Sequence, residues 1–142
     1  MISKQINKTN VGFSHNILIA EDNLVNPKVA EKMVMTLGHS CDLVSNGKEA
    51  IDKIFQSKQP YTIIMMDMQM PTLYGVEASK RIIGLHPKTH PIIIAMTANV
   101  LDEARDKCLQ AGMDDFLTKP VNINELENTL NKNEPLIKIL EK

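Results

Sequence analysis

The chain predicts an α/β domain built on a parallel sheet, on three observations. Strand-like runs alternate with helix-length amphipathic segments five times, a rhythm that calls for right-handed βαβ crossovers. One run, Tyr61 to Met66, is apolar nearly throughout, as a strand covered on both faces must be. Polar clusters stand where four of the runs end: Glu21-Asp22, Asp67, Thr97 and Lys119.

Each element has its own signal. The first strand is Asn16 to Ala20. A helix follows over Val25 to Leu37, with Val25, Val29, Met33 and Leu37 repeating every four residues along one face. Pro27 belongs in its first turn, where the N–H groups have no intrahelical acceptor. Gly38 closes this helix, and Ser40 to Ser45 forms a second strand with Cys41, Leu43 and Ser45 on one face and Asp42 and Val44 on the other. That mixed polarity marks an edge. Asn46-Gly47 turns the chain into a helix over Lys48 to Ser57, with Ala50, Ile51 and Ile54 facing inward, and Pro60 ends the connection.

The third strand, Tyr61 to Met66, belongs at the centre. Met70 to Gly75 is a loop, Val76 to Leu85 the third helix, and Pro87 to Pro91 a connector into the fourth strand, Ile92 to Met96. Asn99 to Ala111 is the fourth helix, stopped by Gly112; Asp114 to Thr118 is a short fifth strand, and Ile123 to about Asn131 the last helix. Residues 1–15 read as a linker or disordered terminus, 16–131 as one domain, and 132–142 as helix end and tail.

Composition narrows the function. The 142 residues hold one ordinary domain, 43% apolar, with 4% aromatic and no Trp, so aliphatic layers fill the interior. A net charge of −1 without a Lys/Arg run argues against direct nucleic-acid binding. No apolar run reaches a membrane-spanning length and residues 1–16 lack the core of a signal peptide, so a cytoplasmic protein with no membrane insertion is expected. Cys41 and Cys108 have no CxxC spacing and read as buried or idle thiols. The four histidines, His15, His39, His86 and His90, read as surface residues, none placed for phosphoryl chemistry.

The strand ends carry the chemistry. In an open parallel sheet, ligands collect outside the carboxyl ends of the strands. Glu21, Asp22 and Asp67 therefore converge, with Thr97 and Lys119 beside them. Two carboxylates about 5 Å apart repel by roughly 3 kcal/mol at an effective dielectric of about 20. Such a cluster calls for a hard divalent cation, Mg²⁺ first and Mn²⁺ as a substitute. Lys119 supplies a compact positive charge and Thr97 a hydroxyl donor for an arriving anion, and Pro120 fixes the backbone after Lys119, with a cis bond among its options. The reaction class that fits is phosphoryl transfer to Asp67, giving an acyl phosphate.

Four short motifs at these positions resemble the receiver domain of two-component response regulators over about Asn16 to Asn131. They are Glu21-Asp22-Asn23, Asp67-Met68-Gln69-Met70-Pro71 with Gly75, Met96-Thr97-Ala98, and Phe116-Leu117-Thr118-Lys119-Pro120. The resemblance implies a flavodoxin-like (βα)5 three-layer sandwich with strand order 2-1-3-4-5. It implies phosphorylation of Asp67 by a phosphohistidine donor, a histidine kinase or histidine-phosphotransfer protein. It further implies Mg²⁺ held by Glu21, Asp22, Asp67 and the Gln69 backbone carbonyl, Thr97 and Lys119 on the phosphoryl oxygens, Phe116 as the ring that turns inward with Thr97, and Gln69 and Asn99 tuning hydrolysis. The run Glu21 to Asn26 is most similar to receivers of hybrid histidine kinases, although Pro27 departs from the polar residue usual there. The expected activity is a phosphoacceptor signalling domain, not an enzyme acting on a separate substrate, and a monomer or weak homodimer.

Three other readings compete. A haloacid-dehalogenase-type phosphatase needs a second acid two residues after the first, where Gln69 stands. A flavin carrier needs a hydroxyl-rich phosphate loop, where Glu21-Asp22 would repel the phosphate. The alternative kept is a phosphorylation-independent docking module with the same fold.

Overall fold

The computed structural model describes residues 15–23, 26–56, 61–68, 75–85, 90–98 and 102–133. Five strands and five helices alternate along them: β1 Asn16–Ala20, α1 Asn26–Thr36, β2 Ser40–Val44, α2 Gly47–Gln56, β3 Ile63–Asp67, α3 Gly75–Leu85, β4 Ile92–Thr97, α4 Asp102–Gln110, β5 Asp115–Thr118 and α5 Ile123–Lys132. The strands form one parallel sheet in the order β2-β1-β3-β4-β5. Both the strand order and the edge position of β2 agree with expectation.

Alternation along the strands feeds two cores, one on each face. Leu18, Ala20, Ile64, Met66, Ile93 and Ala95 pack with Ala50 of α2, Ala78 and Ile82 of α3 and Cys108 of α4. Ile17, Ile19, Ile63, Met65, Ile94 and Met96 face the other way, against Ala30 and Val34 of α1 and Leu126 and Leu130 of α5. The result is the expected three-layer sandwich. β3 and β4 are buried at every residue because both faces are covered, which is why their sequences show no polar alternation.

Local chemistry sets the element ends. Gly38, at φ 95°, ends α1, with Gly38 N–H donating to the Met35 carbonyl and His39 N–H to the Val34 carbonyl. Gly112, at φ 88°, repeats the pattern after α4 through the carbonyls of Leu109 and Cys108. β2 stops at Val44, one residue short of expectation, because the Ser45 N–H donates to the Glu49 carboxylate at 2.6 Å while Glu49 N–H donates to Asn46 Oδ1 at 2.8 Å. Asn122 caps α5 by accepting from Glu125 N–H at 2.8 Å. Pro27 sits in the first turn of α1, as its missing N–H requires. The third strand runs Ile63–Asp67 instead of Tyr61–Met66, with Asp67 still paired to Met96; the Tyr61 hydroxyl donates to Asp42 at 2.6 Å.

The surface reading of the histidines fails. His15 is not a surface residue: it is 2% exposed, its ring stacked on His39 with centroids 5.0 Å apart. The cause is that β1–β2 pairing continues below the strand, with Ser40 N–H donating to the His15 carbonyl at 3.0 Å and His15 N–H to His39 Nδ1 at 3.1 Å. His39 and His90 are half-buried as well, so the surface reading fails for them too, while His86 lies outside the described residues.

Candidate functional site

The site lies at the carboxyl edge of the sheet, and backbone hydrogen bonds tie three of its segments to neighbouring strands. Glu21 N–H donates to the Val44 carbonyl at 3.0 Å, Met68 N–H just after Asp67 to the Met96 carbonyl at 3.0 Å, and Lys119 N–H to the Thr97 carbonyl at 2.8 Å. Hydrogen bonds to the neighbouring strands therefore hold the backbone that carries the side chains, a rigid placement suited to chemistry. The Lys119–Pro120 peptide is cis.

Glu21 and Asp67 are 4% and 3% exposed, and Asp22 is open to solvent. Oxygens from these three carboxylates lie within 4.8 Å of one another. Lys119 Nζ bridges the two buried ones, 2.8 Å from Glu21 Oε1, 3.2 Å from Glu21 Oε2 and 3.1 Å from Asp67 Oδ1. One ammonium thus pairs with two of the three carboxylates. Burial, then the hydrogen bond and charge of Asp67, push the Glu21 carboxyl up to about 7 against the opposing pull of Lys119. Burial by itself would lower the Lys119 pKa, but its bonds to Glu21 and Asp67 and their charges outweigh it and leave the ammonium above its ordinary value. A carboxyl pushed that far by burial and by a neighbouring carboxylate marks a candidate functional site.

The donor set fits a hard divalent cation. Three carboxylates from two strand ends offer oxygen ligands without sulfur or imidazole, one of them exposed to solvent, which suits an ion that keeps part of its water shell. Gln69, whose carbonyl is the expected fourth ligand, lies outside the described residues, as does Asn99.

Thr97 is the last residue of β4, buried, and pairs with Thr118 of β5. Phe116, half-buried opposite Ala95, packs onto the core face that holds Met66 and Cys108. Burial pushes the thiols of Cys41 and Cys108 up, Cys41 to about 12, so neither is a nucleophile at neutral pH. The sequence did not reveal the groove beside Lys119: a cavity of about 220 Å³ lined by Pro27, Val29, Met33, Met96, Pro120 and Val121. Its walls come from α1, the ends of β1 and β4 and the β5–α5 connection, which no single stretch of sequence brings together.

A family profile for the response regulator receiver domain matches residues 17–131. The chain is 43% identical over 121 residues to hybrid signal transduction histidine kinase H of Dictyostelium discoideum, a match covering 83% of this chain and 9% of that protein. Among solved structures it resembles the receiver domain of a Pseudomonas aeruginosa sensor histidine kinase with magnesium coordinated in the active-site cleft, at 39% identity and TM-score 0.74 over 84% of this chain and 97% of that one. It also resembles a Saccharomyces cerevisiae receiver domain crystallised with a histidine phosphotransfer protein, at 32% identity and TM-score 0.74 over 82% and 86% of the two chains.

Proposed function

The chain belongs to the response regulator receiver domain family of two-component systems, and on that premise we propose that Asp67 accepts a phosphoryl group from a phosphohistidine donor in a Mg²⁺-dependent phosphorelay. The observation that carries this reading is the single Lys119 ammonium set between the buried Glu21 and Asp67 carboxylates. The arrangement has no packing role to offset its desolvation, and it is the one a transferred anion needs.

An Asp67 carboxylate oxygen attacks phosphorus in line with the donor nitrogen. The P–N bond breaks, its electron pair stays on the donor imidazole, and an acyl phosphate forms on Asp67. Lys119, already 3.1 Å from Asp67 Oδ1, pairs with a phosphoryl oxygen, and the Thr97 hydroxyl donates to another. Glu21, Asp22 and Asp67 would hold Mg²⁺, which would offset negative charge during the transfer. Movement of Thr97 toward the phosphoryl lets Phe116 turn inward, shifting the surface that a partner reads. Gln69 and Asn99 set how fast water removes the phosphoryl.

The donor's imidazole must reach Asp67. The apolar groove along Pro27, Val29, Pro120 and Val121 gives a partner's apolar side chains a place beside the acidic cluster, where a histidine kinase or histidine-phosphotransfer protein would dock. A place within a longer histidine kinase, a cytoplasmic setting and a weak or absent self-association complete the proposal. Among the described residues no helix is long and apolar enough to cross a membrane.

Acetyl phosphate and Mg²⁺ added to the purified chain, followed by intact mass, test the reading. One phosphoryl gain is expected, absent in Asp67→Ala and in chelator. A folded chain that gains nothing and binds no Mg²⁺ would instead support the phosphorylation-independent docking module.

A further inference from the structure

We propose that Gly75 is a positioning residue for the acceptor, because α3 begins in contact with the backbone of Asp67. This rests on the phosphotransfer reading of Asp67. Gly75 is the buried first residue of α3. A Cβ built on it would overlap the Asp67 carbonyl oxygen and lie 3.1 Å from both the Asp67 carbonyl carbon and Met66 Cγ. The far side of the Asp67 peptide is closed. Met68 N–H, one residue on, is bound to the Met96 carbonyl at 3.0 Å, and Met66 is fully buried in the core.

The Asp67 peptide is therefore wedged between α3 and β4, and only a hydrogen at position 75 leaves it where it is. A methyl there pushes on backbone and not on the pliant end of a side chain. The displacement is passed to the Asp67 carboxylate, whose distance to Lys119 Nζ is 3.1 Å and whose oxygens share a 4.8 Å cluster with Glu21 and Asp22. In-line attack depends on that placement, and a shift on the order of 1 Å costs up to about a hundredfold in rate. Gly84 in the same helix is the natural control, since a Cβ there meets nothing within 4 Å.

The test compares Gly75→Ala, Gly84→Ala, Met66→Ala and the double variant Gly75→Ala/Met66→Ala. For each, the phosphorylation rate is measured against acetyl phosphate concentration at saturating Mg²⁺, with fold checked by amide spectra. Gly75→Ala is expected to fold and to lose about tenfold or more in maximal rate, with a smaller change in half-saturating donor. Gly84→Ala should match the parent. The loss should persist in the double variant relative to Met66→Ala, because removing Met66 Cγ leaves the Asp67 carbonyl clash in place. Restoration in the double variant would assign the effect to core overpacking and overturn the proposal. A Gly75→Ala chain with the parent's rate, or one that does not fold, would overturn it too, since the clash is then absorbed elsewhere than at the acceptor. Failure of the parent chain to be phosphorylated would instead strike at the phosphotransfer reading itself.

Discussion

The two ends of the sheet treat buried polar groups in opposite ways. At the amino end three of them have a local answer: Asp114 Oδ2 accepts the Ile93 N–H at 2.9 Å, the Tyr61 hydroxyl donates to Asp42 at 2.6 Å, and His15 N–H donates to His39. At the carboxyl end Glu21 and Asp67 share one ammonium, with Asp22 alongside. Burial pushes the Asp114 carboxyl up, but the Ile93 N–H and the charge of His90 hold it back. Glu21 has only Lys119 to oppose both burial and Asp67. Polar groups at one end complete the fold; at the other, carboxylates outnumber the ammonium that pairs with them, as the proposed binding of a cation and a phosphoryl group requires.

Substitutions at the two ends should separate chemistry from stability. The largest effect is expected from Asp67→Asn, which should abolish phosphoryl gain in intact mass while leaving the thermal midpoint level or higher, because it relieves crowding. Equal loss of fold and chemistry would erase the contrast. Lys119→Met comes next. It leaves two buried carboxylates without their cation, and at pH 8 without metal it should cost roughly 1–3 kcal/mol in chemical denaturation, allowing for the lysine's partial exposure. Added Mg²⁺ should return much of that stability without restoring the parent's phosphorylation rate.

The pH dependence has a definite sign. Glu21 has a folded pKa raised from 4.5 to about 7, so between those values the folded state holds more protons than the unfolded. Stability from this group is full below about pH 4.5 and is lost as pH rises through about 7. For metal-free protein the fall from pH 5 to 8 should be on the order of 2 kcal/mol. Lys119, its pKa raised, stays charged across this window. Glu21→Gln should flatten the slope and saturating Mg²⁺ should flatten or reverse it; a metal-free parent that gains stability over this range would contradict the crowded-cluster account. The amino end sets the smallest effects. Asp114→Ala should cost about 1–3 kcal/mol by stranding the Ile93 N–H, and Tyr61→Phe about 1 kcal/mol, both with phosphorylation rates like the parent's.

This contrast also explains what was legible in the sequence. The carboxyl end could be read because parallel strands stop side by side, so residues following Ala20, Met66 and Thr118 must meet whatever their separation along the chain. β3 and β4 were plain from their unbroken apolar runs, and Gly38 and Gly112 marked helix ends through a conformation few other residues adopt. His15 escaped because its burial depends on a hydrogen bond from Ser40, a pairing that composition does not announce. The bridging of Glu21 by Lys119 depends on a side-chain path, and the pressure of Gly75 on Asp67 on the path of α3. Periodicity specifies faces and ends; it carries no information on sub-ångström approach between elements.

The most direct measurement is transfer from a phosphohistidine-bearing phosphotransfer protein in Mg²⁺, followed by borohydride reduction and peptide mapping. Reduction of the acyl phosphate should convert Asp67 alone to homoserine, and the conversion should disappear when Mg²⁺ is chelated. Reduction at another carboxylate, or label retained on a histidine of this chain, would contradict Asp67 as the acceptor.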